Sequence, residues 1–272
     1  MLEALDLLGQ VLYYQGLYVK AERLHRRALR GREKVLGAEH PDTLTSVSNL
    51  GLVLESQGKY EEAEAMHRRD LRGSEKVLGA EHPDTLTSVS NLGLVLESQG
   101  KYEEAEAMHR RDLAGSEKVL GAEHPDTLTS VSNLGSVLSR QGKYEEAEVM
   151  HWRALRGREK VLGTEHPDTL TGMANLASLL WHQSLWEEAE RLEMQVSETR
   201  KRVLGEKHPD TLMAMHNLAF MLKSEGRGKE ANSLMGRCHE LRKGVLGRYH
   251  PDTESSLGTL EEWRIEDTEI EA

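Results

Sequence analysis

The chain has 272 residues and a formal net charge of −11, with 38% hydrophobic residues, 30% charged residues and a single Phe against 24 Gly. That length allows one or two ordinary domains, and the scarcity of aromatic residues argues against a compact enzyme core and suits thin layers of stacked helices. Acidic residues interleaved with the Arg residues disfavour a nucleic-acid partner, the lone Cys238 rules out an intramolecular disulfide framework, and no apolar run nears the roughly 18 residues of a membrane span.

Taken in chain order, Met1-Leu2-Glu3-Ala4-Leu5-Asp6 lacks the basic-then-apolar form of a signal peptide. With the single Cys fitting a reducing compartment, the expectation is a soluble cytoplasmic protein. Residue 1 falls inside a first helix, with no His-Pro-Asp before it, which suggests a piece of a longer array. From there the string His-Pro-Asp-Thr recurs at His40, His82, His124, His166, His208 and His250, a constant step of 42 that takes in all six prolines. Residues 38–79 and 80–121 differ only at Arg72 against Ala114, and 122–163 departs from 80–121 at eight positions.

Each unit reads as two helices. In the second unit, Pro41 suits a first helical turn and Asp42 places negative charge at the positive end of the helix dipole. Leu44, Val47, Leu50, Gly51 and Leu54 follow at spacings of three and four, one apolar stripe. Gly58 ends this helix, and the next begins near Tyr60-Glu61-Glu62. Tyr60, Ala63, Met66, His67, Leu71, Val77 and Leu78 mark its buried side, and Gly79 closes it. Gly31, Gly73, Gly115 and Gly157, inside second helices, are expected at close helix approaches, since each costs roughly 1 kcal/mol of helix propensity. Neither helix can bury its stripe alone, so neighbouring units must stack.

The expected architecture is all-α: a right-handed superhelical solenoid of antiparallel helix pairs over residues 1–264. Six pairs occupy about 1–37, 38–79, 80–121, 122–163, 164–205 and 206–247. A capping helix follows over about 251–264, its stripe kept by Leu257 and Leu260 and its outer side made polar by Glu261 and Arg264. An acidic, frayed tail covers 265–272.

The spacing of Leu50-Gly51, Gly58, Tyr60 and Ala63 resembles the tetratricopeptide pattern. Its 42-residue form, with His-Pro-Asp, Asn-Leu-Gly, Gln-Gly-Lys-Tyr-Glu-Glu-Ala-Glu and Glu-Lys-Val-Leu-Gly, is similar to kinesin light chain repeats. It is equally similar to the C-terminal repeat arrays of fungal nucleotide-binding oligomerisation receptors. The resemblance implies a protein-binding scaffold and no enzyme. Its implied binding face is a concave groove lined by the first helix of each pair, carrying Thr45, Ser48, Asn49, Leu52, Glu55 and Ser56 and their equivalents.

The chemistry-bearing residues fit that reading. Ten of the thirteen histidines step by 42: the six of the turn strings, and His25, His67, His109 and His151. They therefore lie a repeat apart, too far to share a metal ion. His67 is expected to pack where related repeats carry an aromatic residue. His-Pro-Asp also resembles the tripeptide of J-domain co-chaperones, but six periodic copies are accounted for by helix capping. No nucleophile constellation or phosphate loop appears, so no catalytic residue, metal or cofactor is expected.

Among the repeats, Leu52 and Leu94 become Ser136, Ser178 and Phe220. Glu55 and Glu97 become Ser139, Trp181 and Lys223, while Ser56 and Ser98 become Arg140, His182 and Ser224. Asn49 recurs as Asn91, Asn133, Asn175 and Asn217, and a carboxamide both donates and accepts. The kinesin light chain resemblance implies that these five grip a peptide backbone; bonding between neighbouring helices is the alternative. Glu3, Asp6, Glu55 and Glu97, with Tyr13 and Tyr14, make an acidic N-terminal half. Arg140, His182, His216 and Lys223, beside Trp181 and Phe220, make a basic, aromatic C-terminal half. The expected partner is an acidic peptide with an apolar anchor, bound by the sensing region of a fungal receptor-like protein or, alternatively, by a kinesin light chain-like cargo adaptor. Asp70 and Asp112 stand where sister units carry Ala28 and Ala154, and a partnerless carboxylate there would be costly to bury.

Overall fold

The computed structural model describes the backbone of residues 2–271 and the side chains of residues 2–266. Among the described residues every regular element is a helix. The order is α1 (Leu2–Tyr14), α2 (Tyr18–Leu36), α3 (Pro41–Glu55), α4 (Tyr60–Leu78), α5 (Pro83–Ser98), α6 (Tyr102–Leu120) and α7 (Pro125–Arg140). It continues with α8 (Tyr144–Leu162), α9 (Pro167–His182), α10 (Trp186–Val203), α11 (Pro209–Ser224), α12 (Gly228–Val245) and α13 (Pro251–Glu271).

The turn strings start helices as their composition requires. Each histidine is an N-cap whose Nδ1 accepts the backbone N–H two residues on, at 3.2 Å, from Asp42, Asp84, Asp126, Asp168, Asp210 and Asp252. Imidazole thus satisfies one of the donors that a helix start leaves unpaired. The following threonine closes the loop behind it: Thr43, Thr85, Thr169 and Thr211 donate to the carbonyls of Gly37, Gly79, Gly163 and Gly205 at 2.8–2.9 Å.

The helices form an all-α solenoid in which α1 to α7, and again α9 to α13, each pack on their sequence neighbours. Contacts gather them into two compact units, Met1–Ala154 and Leu155–Ala272, dividing within α8. In the first unit, α1 to α7 bury Leu44, Val47, Leu50 and Leu54 and their equivalents around Ala21, Ala63 and Ala105. In the second, Leu170, Leu176 and Leu212 and the cluster of Ala219, Ala231, Met235, Leu260 and Trp263 play that part.

Three expectations are corrected. Val77, in the last turn of α4, is exposed, as Val35 and Val119 are at the ends of α2 and α6. In the terminal helix Leu260 is buried but Leu257 is exposed, and Trp263 takes its place in the core. α13 runs to Glu271 instead of ending near residue 264, so 265–271 are helical; Ala272 lies outside the described residues. The expected close approaches are present at Gly31, Gly73 and Gly115, where an added Cβ would stand 2.3–2.4 Å from Leu2, Leu44 and Leu86.

Candidate functional site: the faces of the first helices

In the first unit the first helices are α1, α3, α5 and α7. Asn49, Asn91 and Asn133 are half-buried on them. Asn91 donates from Nδ2 to Ser48 Oγ, and Asn133 to Ser90 Oγ, both at 3.2 Å across 43 residues. The alternative reading of the ladder is therefore realised at these two positions. The bond immobilises each carboxamide and leaves its Oδ1 able to accept.

The variable positions obey the same step of 43. Ser56 donates to the Tyr13 hydroxyl at 3.2 Å, Ser98 donates to Glu55 at 3.0 Å, and Arg140 Nε stands 3.8 Å from Glu97 Oε1. Burial pushes the Glu55 and Glu97 carboxyls up; Ser98 offsets this for Glu55, and the Arg140 charge offsets it for Glu97. The side chain of Arg140 remains 63% exposed. Residues at these positions thus meet a neighbouring helix as well as solvent, which single-helix patterning could not reveal. The periodic signal was available in the sequence: Glu55 precedes Ser98, and Glu97 precedes Arg140, by 43.

In the second unit the first helices are α9, α11 and α13. Asn175 and Asn217 are half-buried and His182 is exposed. Trp181 packs against the cluster of Ala177, Ala189 and Met221, with its ring 6.4 Å from that of Trp186. Phe220 is 43% exposed and meets Trp263 edge-on at 5.2 Å and His216 at 5.0 Å. Lys223 Nζ lies 3.4 Å from Glu266 and over the Trp263 ring. His216 is no cation at neutral pH: burial, and then the Arg242 charge 3.3 Å away, push it down to about 4. The terminal helix therefore occupies much of the basic, aromatic surface expected here.

The buried carboxylates also differ from expectation. Asp70 accepts from Ser88 at 2.8 Å and from Ser74 at 3.4 Å, with the Ser48 hydroxyl nearby. Asp112 accepts from Ser116 at 3.2 Å and lies among the Ser90 and Ser130 hydroxyls. Burial still raises both carboxyls, but neither is partnerless. Glu193 was missed. It is fully buried and neither oxygen makes a hydrogen bond of normal geometry. Burial pushes it up to about 7 despite the Arg200 charge and the nearby Asn217 amide.

Second helices and the turns before them carry much of the remaining charge. Arg68 reaches Glu104 at 3.3 Å and Lys101 reaches Glu64 at 2.9 Å, and Arg110 and Glu146 and Lys143 and Glu106 repeat both links one unit on. Such exposed pairs are individually weak; here they absorb cations that could otherwise cluster. No described helix is long and apolar enough to cross a membrane.

The chain matches the tetratricopeptide repeat model over residues 1–74, 48–118, 89–160, 126–202 and 173–243. No curated protein matches it in sequence. Among solved structures, it is similar to a Podosopora anserina kinesin light chain candidate with nearly identical TPR-like repeats. The identity is 27%, the match covers 76% of this chain and 98% of that one, and the TM-score is 0.59. BtubC (BKLC) from P. vanneervenii is 25% identical, with 76% and 82% covered and a TM-score of 0.62. NprR in complex with its cognate peptide NprX shares the fold at 15% identity, with 96% and 74% covered and a TM-score of 0.68. With its helix pairs, 42-residue step and matches over five overlapping segments, the chain belongs to the tetratricopeptide repeat family.

Proposed function

We propose that the chain is a non-enzymatic scaffold that binds an extended peptide segment along its first-helix faces, as the sensing repeats of a fungal receptor-like protein. The observation that carries this is where variation falls on the first helices. Between 80–121 and 122–163 the first helices differ only where Leu94, Glu97 and Ser98 become Ser136, Ser139 and Arg140, while the buried stripe is unchanged. The peptide in the NprR complex is consistent with the same use of the fold. Asn91 and Asn133, held by Ser48 and Ser90, present fixed carbonyl oxygens to ligand backbone N–H groups; Asn49, Asn175 and Asn217 extend that role.

An acidic ligand residue would meet the exposed Arg140 in the first unit, or His182 in the second. An apolar side chain would pack on Phe220 or Trp181, while His216 and Lys223 support that surface more than they supply charge. The 27% identity to a kinesin light chain candidate favours a cargo-adaptor role as a second reading.

The test is a peptide display screen against the purified chain, followed by Asn91→Ala with Asn133→Ala. Affinity for selected peptides should fall by about 1 kcal/mol per lost hydrogen bond, with the helical signal unchanged. Unaltered affinity with a lowered melting temperature would assign both residues to stacking alone.

A further inference from the structure

Between α5, α6 and α7 lies a cavity of about 330 Å³, with Thr87, Ser90, Asn91, Asp126, Thr129, Ser130 and Asn133 on its walls and Asp112 and Ser116 on its floor. The floor residues are almost wholly buried, whereas Thr87, Asp126 and Thr129 are exposed at the rim. What this space suits is visible in the sister repeats, which fill it themselves.

The residue equivalent to Ser116 is Arg32, Arg158, Arg200 or Arg242 in four of the other units. The guanidinium of Arg32 bonds Asp6 and Ser46. That of Arg200 donates to Thr171 Oγ1 at 3.0 Å and the Asp210 carbonyl at 3.2 Å. That of Arg242 donates to Ser256 Oγ at 2.6 Å and the Asp252 carbonyl at 2.9 Å, and meets His216 at 3.3 Å. Shifted by whole repeats of 42, these partners map onto the cavity: Asp6 and His216 onto Ser90, Ser46 and Ser256 onto Ser130, Thr171 onto Thr87, and the Asp210 and Asp252 carbonyls onto that of Asp126.

All the positions that receive a guanidinium elsewhere are thus retained here as oxygen-bearing groups, and the guanidinium is gone. The companion change runs the same way. Where an Arg is present, the residue four positions earlier is Ala28, Ala154, Val196 or Cys238; where it is replaced by Ser, that residue is Asp70 or Asp112. The cradle has lost its own cation and gained a buried carboxylate. Asp70, Ser74 and Ser88 repeat the arrangement one unit earlier.

We infer that the Asp112 cavity, and the matching group of Asp70, Ser74 and Ser88 one repeat earlier, each accept the guanidinium of an arginine side chain from a partner polypeptide. The carboxylate and hydroxyls would receive its N–H donors in a fork that an ammonium cannot match. The inference rests on the peptide-binding reading only for the source of that side chain.

The experiment uses the intact chain and three probes, N-acetyl-Ala-Arg-Ala-amide and its Lys and Ala counterparts, observed by saturation-transfer NMR. The Arg probe should give a saturable signal at least several-fold stronger than the Lys probe, and the Ala probe none. Asp112→Ala with Ser116→Arg recreates the self-filled sister arrangement and should roughly halve the signal. Adding Asp70→Ala with Ser74→Arg should abolish it. Asp70→Asn with Asp112→Asn, which keeps the shape and removes the charge, should also abolish it, providing a second route if the arginine variants fold poorly. Equal signals from the Arg and Lys or Ala probes, or an undiminished signal in correctly folded charge-neutral or self-filled variants, would overturn the inference. Arginine binding that survives Asn91→Ala with Asn133→Ala, while longer peptides also bind unchanged, would sink the backbone role of the asparagines and leave the cavity standing.

Discussion

The imidazole of His67 occupies the space that a side chain at Gly51 would need: a Cβ there would stand 2.5 Å from its Cε1. The same relation links His25 to Gly9, His109 to Gly93 and His151 to Gly135, with closest approaches of 2.5–2.9 Å. Where the chain carries Glu193 or Met235 at the histidine position, the facing residue becomes Ala177 or Ala219. These four histidines are thus each matched to a missing methyl, and His25 also bonds Asp6 at 3.0 Å.

This match predicts a coupled pair of substitutions. Gly51→Ala should destabilise the first unit by about 1–3 kcal/mol through overpacking. Adding His67→Met, the pairing already used at Ala219 and Met235, should recover most of that loss. Chemical denaturation of the single and double variants measures the coupling; additive effects would show that the ring and the glycine do not constrain one another.

Acid should weaken the fold through these rings. Burial holds His67 and His109 down to about 4, below the ordinary value of 6.5, so the folded chain resists protonation that the unfolded chain accepts. Their contribution is intact above pH 6.5 and is lost as pH falls through about 4. The loss amounts to about 2–3 kcal/mol per ring at pH 4.5. Replacing His67 and Gly51 by Met and Ala should shrink the stability difference between pH 7.5 and pH 4.5, measured by urea unfolding. An unchanged difference would mean that His67 is protonated without penalty.

Glu193 behaves in the opposite sense. Its folded pKa of about 7 lies above the ordinary 4.5, so its contribution is full below pH 4.5 and disappears as pH rises through 7. Glu193→Gln should therefore stabilise the second unit by on the order of 2 kcal/mol at pH 8 and change little at pH 4.5. Thermal melts at the two pH values give the comparison. A loss of stability at pH 8 would show that the ionised carboxylate is needed by Arg200.

Ser184 is the one described non-glycine residue with positive φ, at 63°. It stands where the other helix pairs carry Gly16, Gly58, Gly100, Gly142 and Gly226, at the turn after the first helix. A side chain in that left-handed conformation costs about 1 kcal/mol. Ser184→Gly should raise the melting temperature by a few degrees, and no rise would mean that the serine side chain compensates locally.

The helices, their starts and the fold family were legible in the sequence because they depend on local chemistry. Proline, histidine and aspartate cap each first helix wherever they occur, and a stripe such as Leu44, Val47, Leu50 and Leu54 has only one face to bury. Tertiary structure decided which polar residues meet across repeats, because a shared spacing becomes a contact only where helices stack. Asn91 and Ser48, Glu97 and Arg140, and Lys223 and Glu266 are each 43 residues apart, brought together only by stacking. The exchange of Ala and Arg for Asp and Ser was likewise visible as letters. Its meaning required the cavity, because only the guanidinium contacts of Arg32, Arg200 and Arg242 show which oxygen atoms around Asp112 were shaped for a cation.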